Sequence, residues 1–553
     1  MLFKKLPWPR LDAPLSAWIV FPAVFAALCL SHRTLLRLPY YWDEAGYYIP
    51  AAWDFFRTGS LIPFSTLSNA HPPLPSIYLA LAWKLFSYSP LVTRVAVLAV
   101  ASLGLTAVWR LAMRLTGVVA VAFWTVLLTA LYPIWFAQSS LAHADIFAAA
   151  CTLWGLVYAL PTLNQTRKPW AAALWFSLAA LSKETAIVIP LTLAAASLVE
   201  CLRASGIARR QLLRDAAWLA TCVLPLAAWY GYHYAKTGFL FGNPEFLRYN
   251  AQANLDPLRM AAAFAHRLLH LSAHMNLFVP VLLAFAALLL EPRCGSGQWS
   301  VVSGQEKDEL NDREGIVPPA LHRIFALLLV NAAFFSLLGG ALLTRYLLPM
   351  YPLVLLVAVT TLYRRVRYWQ ALALISAMAF VAGLFINPPY GFAPEDNLAY
   401  ASGIRLHQAG IAQLEKRFPD ATVLSAWPAT DELTRPELGY LKQPFTVVAI
   451  EDFTAAQIAR AADEPERYSA ALVFSTKYDP PSPLITLGAR SRAADERYFG
   501  LHHDLLPEEI ARQLHGELVW KQQEQGLWIA IIRFNRQFDA RMELPAASSP
   551  GFP

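Results

Sequence analysis

Long apolar segments alternate with short polar connections along the first 387 residues. The apolar segments are mostly about 17–25 residues long, which is the length that crosses a bilayer as a helix. We therefore predict an α-helical polytopic membrane protein with about eleven transmembrane helices. The predicted spans are about 15–36, 90–114, 118–138, 142–161, 169–182, 185–203, 215–233, 274–291, 321–341, 346–363 and 369–387.

Basic residues concentrate in alternate connections between these spans, which predicts the orientation of the chain. Placing the N-terminus in the cytoplasm puts most of the Lys and Arg residues on the cytoplasmic side and the C-terminus outside. The start, with Lys4, Lys5 and Arg10 before an apolar run, predicts an uncleaved signal anchor. Segment 75–88 is predicted to be an amphipathic helix in the membrane interface, inside a first outer loop at 37–89, because counting it as a span would invert the basic bias.

The pattern changes after residue 387. Segments such as "TVLSAW", "FTVVAI", "ALVFST", "ELVWKQ" and "GLWIAIIRF" have the composition of strands, and two segments between them have helical periodicity. We predict a membrane domain at 1–387 and a small α/β domain at 388–537 on the outer, periplasmic side. The tail at 538–553 is predicted to be disordered, and the polar loop 292–320 to be a flexible cytoplasmic connection.

Composition supports the membrane class. Of 553 residues, 57% are hydrophobic and 15% are charged, whereas soluble domains have about 25% charged residues. The net charge of +7 follows from the basic connections. It does not indicate a nucleic-acid partner. The predicted location is the cell (cytoplasmic) membrane.

Charged and histidine side chains recur at the outer ends of the predicted spans. A charge at the centre of a span costs about 2.5–3.5 kcal/mol, so their recurrence at one height favours a shared water-filled cavity. The motifs "YYWDEAGYY", "NAHPPLP", "SSLAHADIF", "LSKETA" and "LLTRYLLP" contain these residues, which are Asp43, Glu44, His71, His143, Asp145, Lys183, Glu184 and Arg345.

The residue types predict a chemistry for this cavity. The guanidinium of Arg345 can donate two parallel hydrogen bonds, and the ammonium of Lys183 carries a compact positive charge. Both side chains therefore suit the phosphate of a lipid. A carboxylate beside them suits a general base that takes a proton from an attacking hydroxyl or amine. Cations also stabilise the charge that develops on a leaving phosphate. The combination predicts attack on a lipid-linked phosphosugar.

The order of the motifs, above all "YYWDEAGYY", "HPPLPSIYLALAWKLF", "SKE" and "RYLLPMYP", resembles the GT-C integral-membrane glycosyltransferases. The protein O-mannosyltransferase and aminoarabinose-lipid A transferase branch is the most similar. This resemblance implies a polyprenyl-phosphate sugar donor on the outer face. It also implies that Asp43 is the catalytic base with Glu44 as its neighbour, that Asp145 orients a substrate, and that Lys183 and Arg345 bind the donor phosphate. Glu184-Thr185 departs from the Lys-Gly-Pro of many relatives.

The sequence is compatible with two functions, one of an enzyme and one of a transporter. The first is an inverting glycosyltransferase whose acceptor is a lipid, an envelope glycan or a protein. The second is a transporter or lipid-linked-sugar flippase, which should place ionisable residues near the bilayer midplane. Here they gather near one end of the spans, which favours the enzyme. No cofactor is required by the pattern, but His71, His143 and Glu184 are candidates for binding the acceptor or a divalent cation. His266, His270 and His274 share the spacing of one helix face and are a further metal candidate.

Overall fold

The computed structural model describes residues 17–162, 167–244, 247–248, 251, 255–292, 316–338, 342–478 and 504–534. These residues divide between two compact units, one within Met1–Ile404 and Lys477–Leu501, the other within Arg405–Thr476 and His502–Pro553. The basic residues before the first helix, most of loop 292–320 and the tail 538–553 lie outside the described residues.

The first unit is helical, and every predicted span contains a helix. The helices of the described chain up to residue 404 are α1 (Ala17–Ser31), α2 (Ile49–Thr58), α3 (Leu74–Phe86), α4 (Pro90–Thr116), α5 (Val119–Leu131), α6 (Pro133–Gln138), α7 (Ala144–Ala159), α8 (Pro169–Ser182), α9 (Val188–Cys201), α10 (Gly206–Ala220), α11 (Val223–Thr237), α12 (Pro257–Ser272), α13 (Phe278–Ala287), α14 (Pro318–Leu337), α15 (Tyr351–Arg365), α16 (Trp369–Phe385) and the start of α17 (Ala399–Arg417).

Eleven spans were predicted, but fewer of the described helices are long enough to cross a bilayer individually. In the described chain, Pro90–Thr116, Glu184–Cys201, Gly206–Thr237 and Pro318–Leu337 are long and apolar enough to cross a bilayer. The pair Pro257–Asn276 and Phe278–Ala287, bent by 99°, makes a fifth if counted as one span. The other predicted spans contain shorter helices. Segment 118–138, for example, is divided because Pro133 opens a new helix after the extended residue Tyr132.

Small residues let α4, α7 and α8 approach closely. A Cβ added to Gly155 on α7 would meet the Phe176 ring on α8 at 2.5 Å, and one added to Gly104 on α4 would meet Ala150 at 3.3 Å. Close backbone approach at small residues is a common way to pack helices in a bilayer. These contacts fix the start of α7 beside the end of α8.

Basic residues lie at one end of several helices. Lys168 precedes the first residue of α8, whereas Lys183 follows its last residue and belongs to the opposite end, where the candidate site residues lie. Helix α15 begins after Arg345 and carries Arg364 and Arg365 in its last turn, at the end away from these residues. At that end Arg323 on α14 pairs with Glu200 on α9 at 2.8 Å. The helices therefore share a basic end opposite to the end at which Lys183 lies.

The second unit contains one five-stranded sheet, which confirms all five predicted strands. Its strands are β1 (Thr422–Ala426), β2 (Thr446–Ile450), β3 (Ala470–Phe474), β4 (Glu517–Glu524) and β5 (Leu527–Arg533), in the order β2-β1-β3-β5-β4. Strand β1 is parallel to β2 and β3, with Val423 opposite both Val447 and Ala470, while β5 is antiparallel to β3 and β4. Every residue of β3 is buried, as expected of a central strand. Helices α18 (Ala429–Thr434), α19 (Ala455–Asp463) and α20 (Pro507–Gln513) accompany the sheet.

Candidate active site

Asp43 lies in a distorted part of the backbone in the first unit. Trp42 before it has φ of 49°, a left-handed conformation that is costly for a bulky residue, and a π-helical turn at Glu44–Tyr48 follows it. Such conformations cluster at functional sites, where the surrounding structure holds them in place. The Asp43 side chain is 30% exposed.

Glu44 points to different partners from its neighbour. Its Oε1 accepts hydrogen bonds at 2.5 Å from Arg94 and from the backbone N–H of Ala142, and its Oε2 accepts from the N–H of Tyr41 at 2.9 Å. Both Glu44 and Arg94 are buried. Glu44 therefore ties the segment around Asp43 to α4 and to the chain that leads into α7.

Arg345 is the centre of the site. It is buried in the turn Thr344–Leu347 that precedes α15, and its guanidinium donates to the carboxylates of Asp43 and Glu395. Its Nε lies 3.5 Å from Oδ2 of Asp145. One guanidinium thus faces three carboxylates that come from three distant parts of the chain.

Lys183 completes the group from the opposite side of Asp145. It follows the last residue of α8, and its Nζ donates to Oδ1 of Asp145 at 2.5 Å. The ammonium also lies 4.2 Å from the centre of the Tyr346 ring, a cation–π contact. Asp145 itself is in the first turn of α7, where a carboxylate is favoured by the helix dipole.

Ion pairs of Lys or Arg with carboxylates thus join four of the eight candidate residues in one network, namely Asp43, Asp145, Lys183 and Arg345. Asp43 is the accessible acid of the four, since the Asp145 side chain is only 3% exposed. A molecule approaching from outside would reach Asp43 first.

Glu395 belongs to this site, and sequence reasoning missed it. It lies in the turn Pro394–Asp396, ten residues after α16 ends, and is 5% exposed. Burial raises the pKa of Glu395 to about 8, although the adjacent Arg345 acts in the opposite direction. An available signal was the acidic pair Glu395-Asp396, which follows the last predicted span on the same side as the other candidates.

The two histidines occupy different positions at the edge of the network. His143 is fully buried, with Nδ1 3.2 Å from Nη1 of Arg345 and 3.9 Å from Oε2 of Glu395. His71 pairs instead with Glu184, with 3.1 Å between Nδ1 and Oε2. The Tyr48 ring lies between them, 5.9 Å from the His71 ring and 5.8 Å from the His143 ring.

No group of three or more His, Cys, Asp or Glu side chains is placed to hold a metal ion within the part of the chain that the structure describes. The rings of His266, His270 and His274 lie in a row, with 4.5 Å and 5.1 Å between successive ring centres, although α12 ends at Ser272 and Met275 is left-handed. His274 binds Asp396 at 3.0 Å and Tyr390 at 3.1 Å, so hydrogen bonds occupy both of its ring nitrogens.

Sequence comparisons match part of the chain. The family model of dolichyl-phosphate-mannose-protein mannosyltransferases matches residues 70–230. A polyprenol-phosphate-mannose–protein mannosyltransferase of Corynebacterium glutamicum is 32% identical over 167 residues, which are 28% of this chain and 31% of the relative. The matched region covers about a third of that relative's length. The family-model match at residues 70–230 includes Asp145 and Lys183 but neither Asp43 nor Arg345.

Solved structures extend the likeness over nearly the whole chain. ArnT from Cupriavidus metallidurans aligns in its apo state with a TM-score of 0.51 at 15% identity, covering 93% of this chain and 98% of ArnT. ArnT bound to undecaprenyl phosphate aligns with a TM-score of 0.53 at 14% identity, covering 94% and 98%. The resemblance to the GT-C glycosyltransferases is confirmed. In this fold, which the chain shares with ArnT, the network around Arg345 is assembled from the connections at one end of the helices.

Proposed function

We propose that the chain is an inverting glycosyltransferase that moves a sugar from a polyprenyl-phosphate donor to an acceptor on the outer face of the cytoplasmic membrane. The observation that carries this proposal is the convergence of Asp43, Asp145, Lys183 and Arg345 in one network. The acceptor class is a lipid, an envelope glycan or a protein.

Arg345 and Lys183 would bind the donor phosphate. Both are buried cations whose present partners are carboxylates, and a phosphate oxygen accepts the same hydrogen bonds as a carboxylate oxygen. The undecaprenyl phosphate in the ArnT structure and the polyprenol phosphate in the name of the C. glutamicum relative support this ligand class.

Glu395 would set the net charge of the site before the donor binds. Three carboxylates face two cations, and a protonated Glu395 leaves Asp43 and Asp145 against Arg345 and Lys183. A protonated carboxyl still accepts a hydrogen bond from Arg345 through its carbonyl oxygen. The site can then accept an anionic phosphate without three ionised carboxylates competing for it.

Asp43 would act as the general base. It takes the proton from the acceptor hydroxyl or amine, whose lone pair attacks the anomeric carbon from the face opposite the phosphate. The bond between that carbon and the phosphate oxygen breaks, and its electron pair leaves with the lipid phosphate. Arg345 and Lys183 stabilise the charge that develops on the leaving oxygen. One displacement inverts the anomeric centre.

The remaining predictions are part of the same proposal. The α/β domain at 388–537 would lie on the periplasmic side and contribute to acceptor choice, while the first outer loop at 37–89 carries Asp43 and His71. His71 and Glu184 form a pair next to Lys183 that is suited to acceptor contacts. Glu44 would keep Asp43 in position through its pairing with Arg94.

A flippase is the alternative function, and one assay separates the two. Purified protein in vesicles receives radiolabelled polyprenyl-phosphate mannose together with an envelope extract that supplies lipid, glycan and protein acceptors. The enzyme releases polyprenyl phosphate and moves label into an acceptor fraction. A flippase would leave the sugar–phosphate bond intact while the labelled lipid changes leaflet, and that result would contradict the proposal.

A further inference from the structure

Arg114 lies at the basic end of the helices, in the last turn of α4. Its side chain is half-buried, and its Nε and Nη2 atoms are buried without a hydrogen-bond partner. Within the described residues, its guanidinium has no ion pair and no hydrogen bond. A guanidinium is always charged, and burying a charge without a partner is costly. The charge of Arg114 is therefore left without a counter-ion among these residues.

Two other arginines at the basic end do have counter-ions. Arg323 pairs with Glu200 at 2.8 Å, and Nη1 of Arg167 lies 3.0 Å from Oδ2 of Asp215. These two carboxylates are thus engaged by their own partners. Arg114 differs from both arginines because no carboxylate of the described chain acts on its charge. A bound anion would compensate that charge.

The neighbours of Arg114 are basic or neutral. Arg110 lies one turn earlier on the same face of α4, and two like charges at this spacing repel each other. Tyr158, in the last turn of α7, is the other described group that acts on the Arg114 charge. Lys168 follows nearby, since its backbone N–H donates to the Tyr158 carbonyl at 3.3 Å. Three cations and a phenol are thus gathered around the ends of α4 and α7.

A phosphate has the charge and the acceptors that these groups lack. Arg114 reaches the surface through Nη1, which is not among its buried atoms. Phosphate oxygens accept hydrogen bonds from guanidinium, ammonium and phenol groups, and their charge would offset that of Arg114 and Arg110. Arg114 is two residues before the end of α4 at Thr116, and lipid headgroups lie at the height of helix ends in a bilayer. The phosphate of a phospholipid can therefore approach Arg114 from the membrane.

We infer that Arg110, Arg114 and Lys168 bind the phosphate of an anionic phospholipid at the basic end of the helices. The Tyr158 hydroxyl is a further donor. The basic bias of the connections places this end in the cytoplasm, where basic pockets between helices bind anionic lipids. A zwitterionic lipid suits the site less, because its own ammonium would lie near three cations. The inference goes beyond the proposed function and does not depend on it, since Lys183 and the rest of the candidate active site lie at the opposite end.

The test measures the Tm of the full chain, purified in an uncharged detergent, after addition of phosphatidylglycerol, phosphatidylcholine or inorganic phosphate. A ligand that binds the folded protein raises its Tm. We expect phosphatidylglycerol to raise the Tm of the wild type and the other two additions to have little effect. An equal rise with inorganic phosphate would identify a free anion as the ligand, and an equal rise with phosphatidylcholine would show that the charge of the lipid is irrelevant. Either result would overturn the inference.

Substitutions locate the site. Arg114→Gln should abolish the Tm rise with phosphatidylglycerol and weaken its Kd about 10-fold to 100-fold, as estimated for one charge-assisted hydrogen bond. Without lipid its Tm should not fall, because the change removes a charge that has no partner among the described residues, and this separates a lost site from a misfolded protein. Arg110→Gln, which changes a guanidinium without buried atoms, should weaken the Kd in the same direction.

Arg364→Gln is the matched control. It removes the same charge from an exposed position at the same end, in the last turn of α15, and should leave the Kd and the Tm rise at wild-type values. If Arg364→Gln weakens binding as much as Arg114→Gln does, net charge explains the binding and the site is wrong. An unchanged Kd in both Arg114→Gln and Arg110→Gln would also contradict the inference.

Discussion

Arg345 donates a hydrogen bond to Asp43 across 302 positions of the chain. The same guanidinium also donates to Glu395, so its fork holds the first outer loop and the segment after α16 together. Asp43 is the partner that remains 30% exposed. A buried cation that holds an accessible carboxylate is the central geometric feature of the proposed site.

Replacing Arg345 by lysine tests whether the planar guanidinium, and not only its positive charge, is needed to bind the lipid phosphate. A lysine retains the charge but offers a compact ammonium that cannot hold several oxygens in one plane. We expect Arg345→Lys to weaken the binding of polyprenyl phosphate about 10-fold to 100-fold, as estimated for one charge-assisted hydrogen bond. Equilibrium binding of the lipid measures this change. Arg405→Lys, at an exposed pair with Glu524, is the matched control and should bind as the wild type does.

Removing the charge of Glu44 should lower the stability of the folded protein. Glu44→Gln leaves the Arg94 guanidinium buried without an ionised partner, and losing one member of a buried pair costs about 3–5 kcal/mol. We expect a lower Tm, with partial recovery in the double variant Glu44→Gln/Arg94→Met. Thermal unfolding in detergent measures both. A Glu44→Gln protein with unchanged Tm and no sugar transfer would instead make Glu44 catalytic.

The buried Glu395 predicts a pH dependence of stability. Its folded pKa of about 8 is above the ordinary value of 4.5, so between these pH values the folded protein holds a proton that the unfolded chain has released. Stability therefore falls as the pH rises through this window, by at most about 1.4 kcal/mol per pH unit. Glu395→Gln should flatten the profile.

Thermal unfolding between pH 5 and 8 checks this expectation for Glu395. Glu464→Gln changes an exposed carboxyl in the second unit and should leave the slope as it is. If the profiles of wild type and Glu395→Gln are parallel, Glu395 is ionised in the folded protein, and the proposed net charge of the site would be wrong.

The close packing of α7 on α8 predicts a strong effect at Gly155. A Cβ there would meet the Phe176 ring at 2.5 Å, so Gly155→Ala must displace this buried ring or the helix that carries it. Overpacking of this kind costs about 1–3 kcal/mol, and it should also separate Asp145 from Lys183 and weaken donor binding. In Gly231→Ala the new Cβ meets nothing within 4 Å. This control should be neutral or slightly stabilising in a helix.

The sequence predicted the helices and strands because each has a local signature. Each predicted span contains a helix, and the strands at 422–426 and 446–450 follow their β-branched residues. The lengths of the helices were harder to predict. Breaks at Pro133 and at the left-handed Met275 depend on how neighbouring elements pack, which hydropathy does not report.

The site was only partly predictable, for a related reason. Asp145, Lys183 and Arg345 were found because charges near spans are costly and therefore conspicuous. Glu395 was missed because it follows the last span in an ordinary polar segment, where a carboxylate needs no explanation. The separate partners of Asp43 and Glu44 lie on different, distant parts of the chain, Arg345 for Asp43 and Arg94 for Glu44, and sequence proximity does not report this.

Sugar transfer by Asp43→Asn tests the central claim most directly. The amide retains an oxygen that can accept from Arg345 but cannot take a proton from the acceptor. We expect transfer from polyprenyl-phosphate mannose to fall by about 10²-fold to 10⁴-fold, the usual contribution of a general base, while Tm and the Kd for polyprenyl phosphate stay near wild-type values. Transfer at the wild-type rate by the purified Asp43→Asn protein would contradict the account.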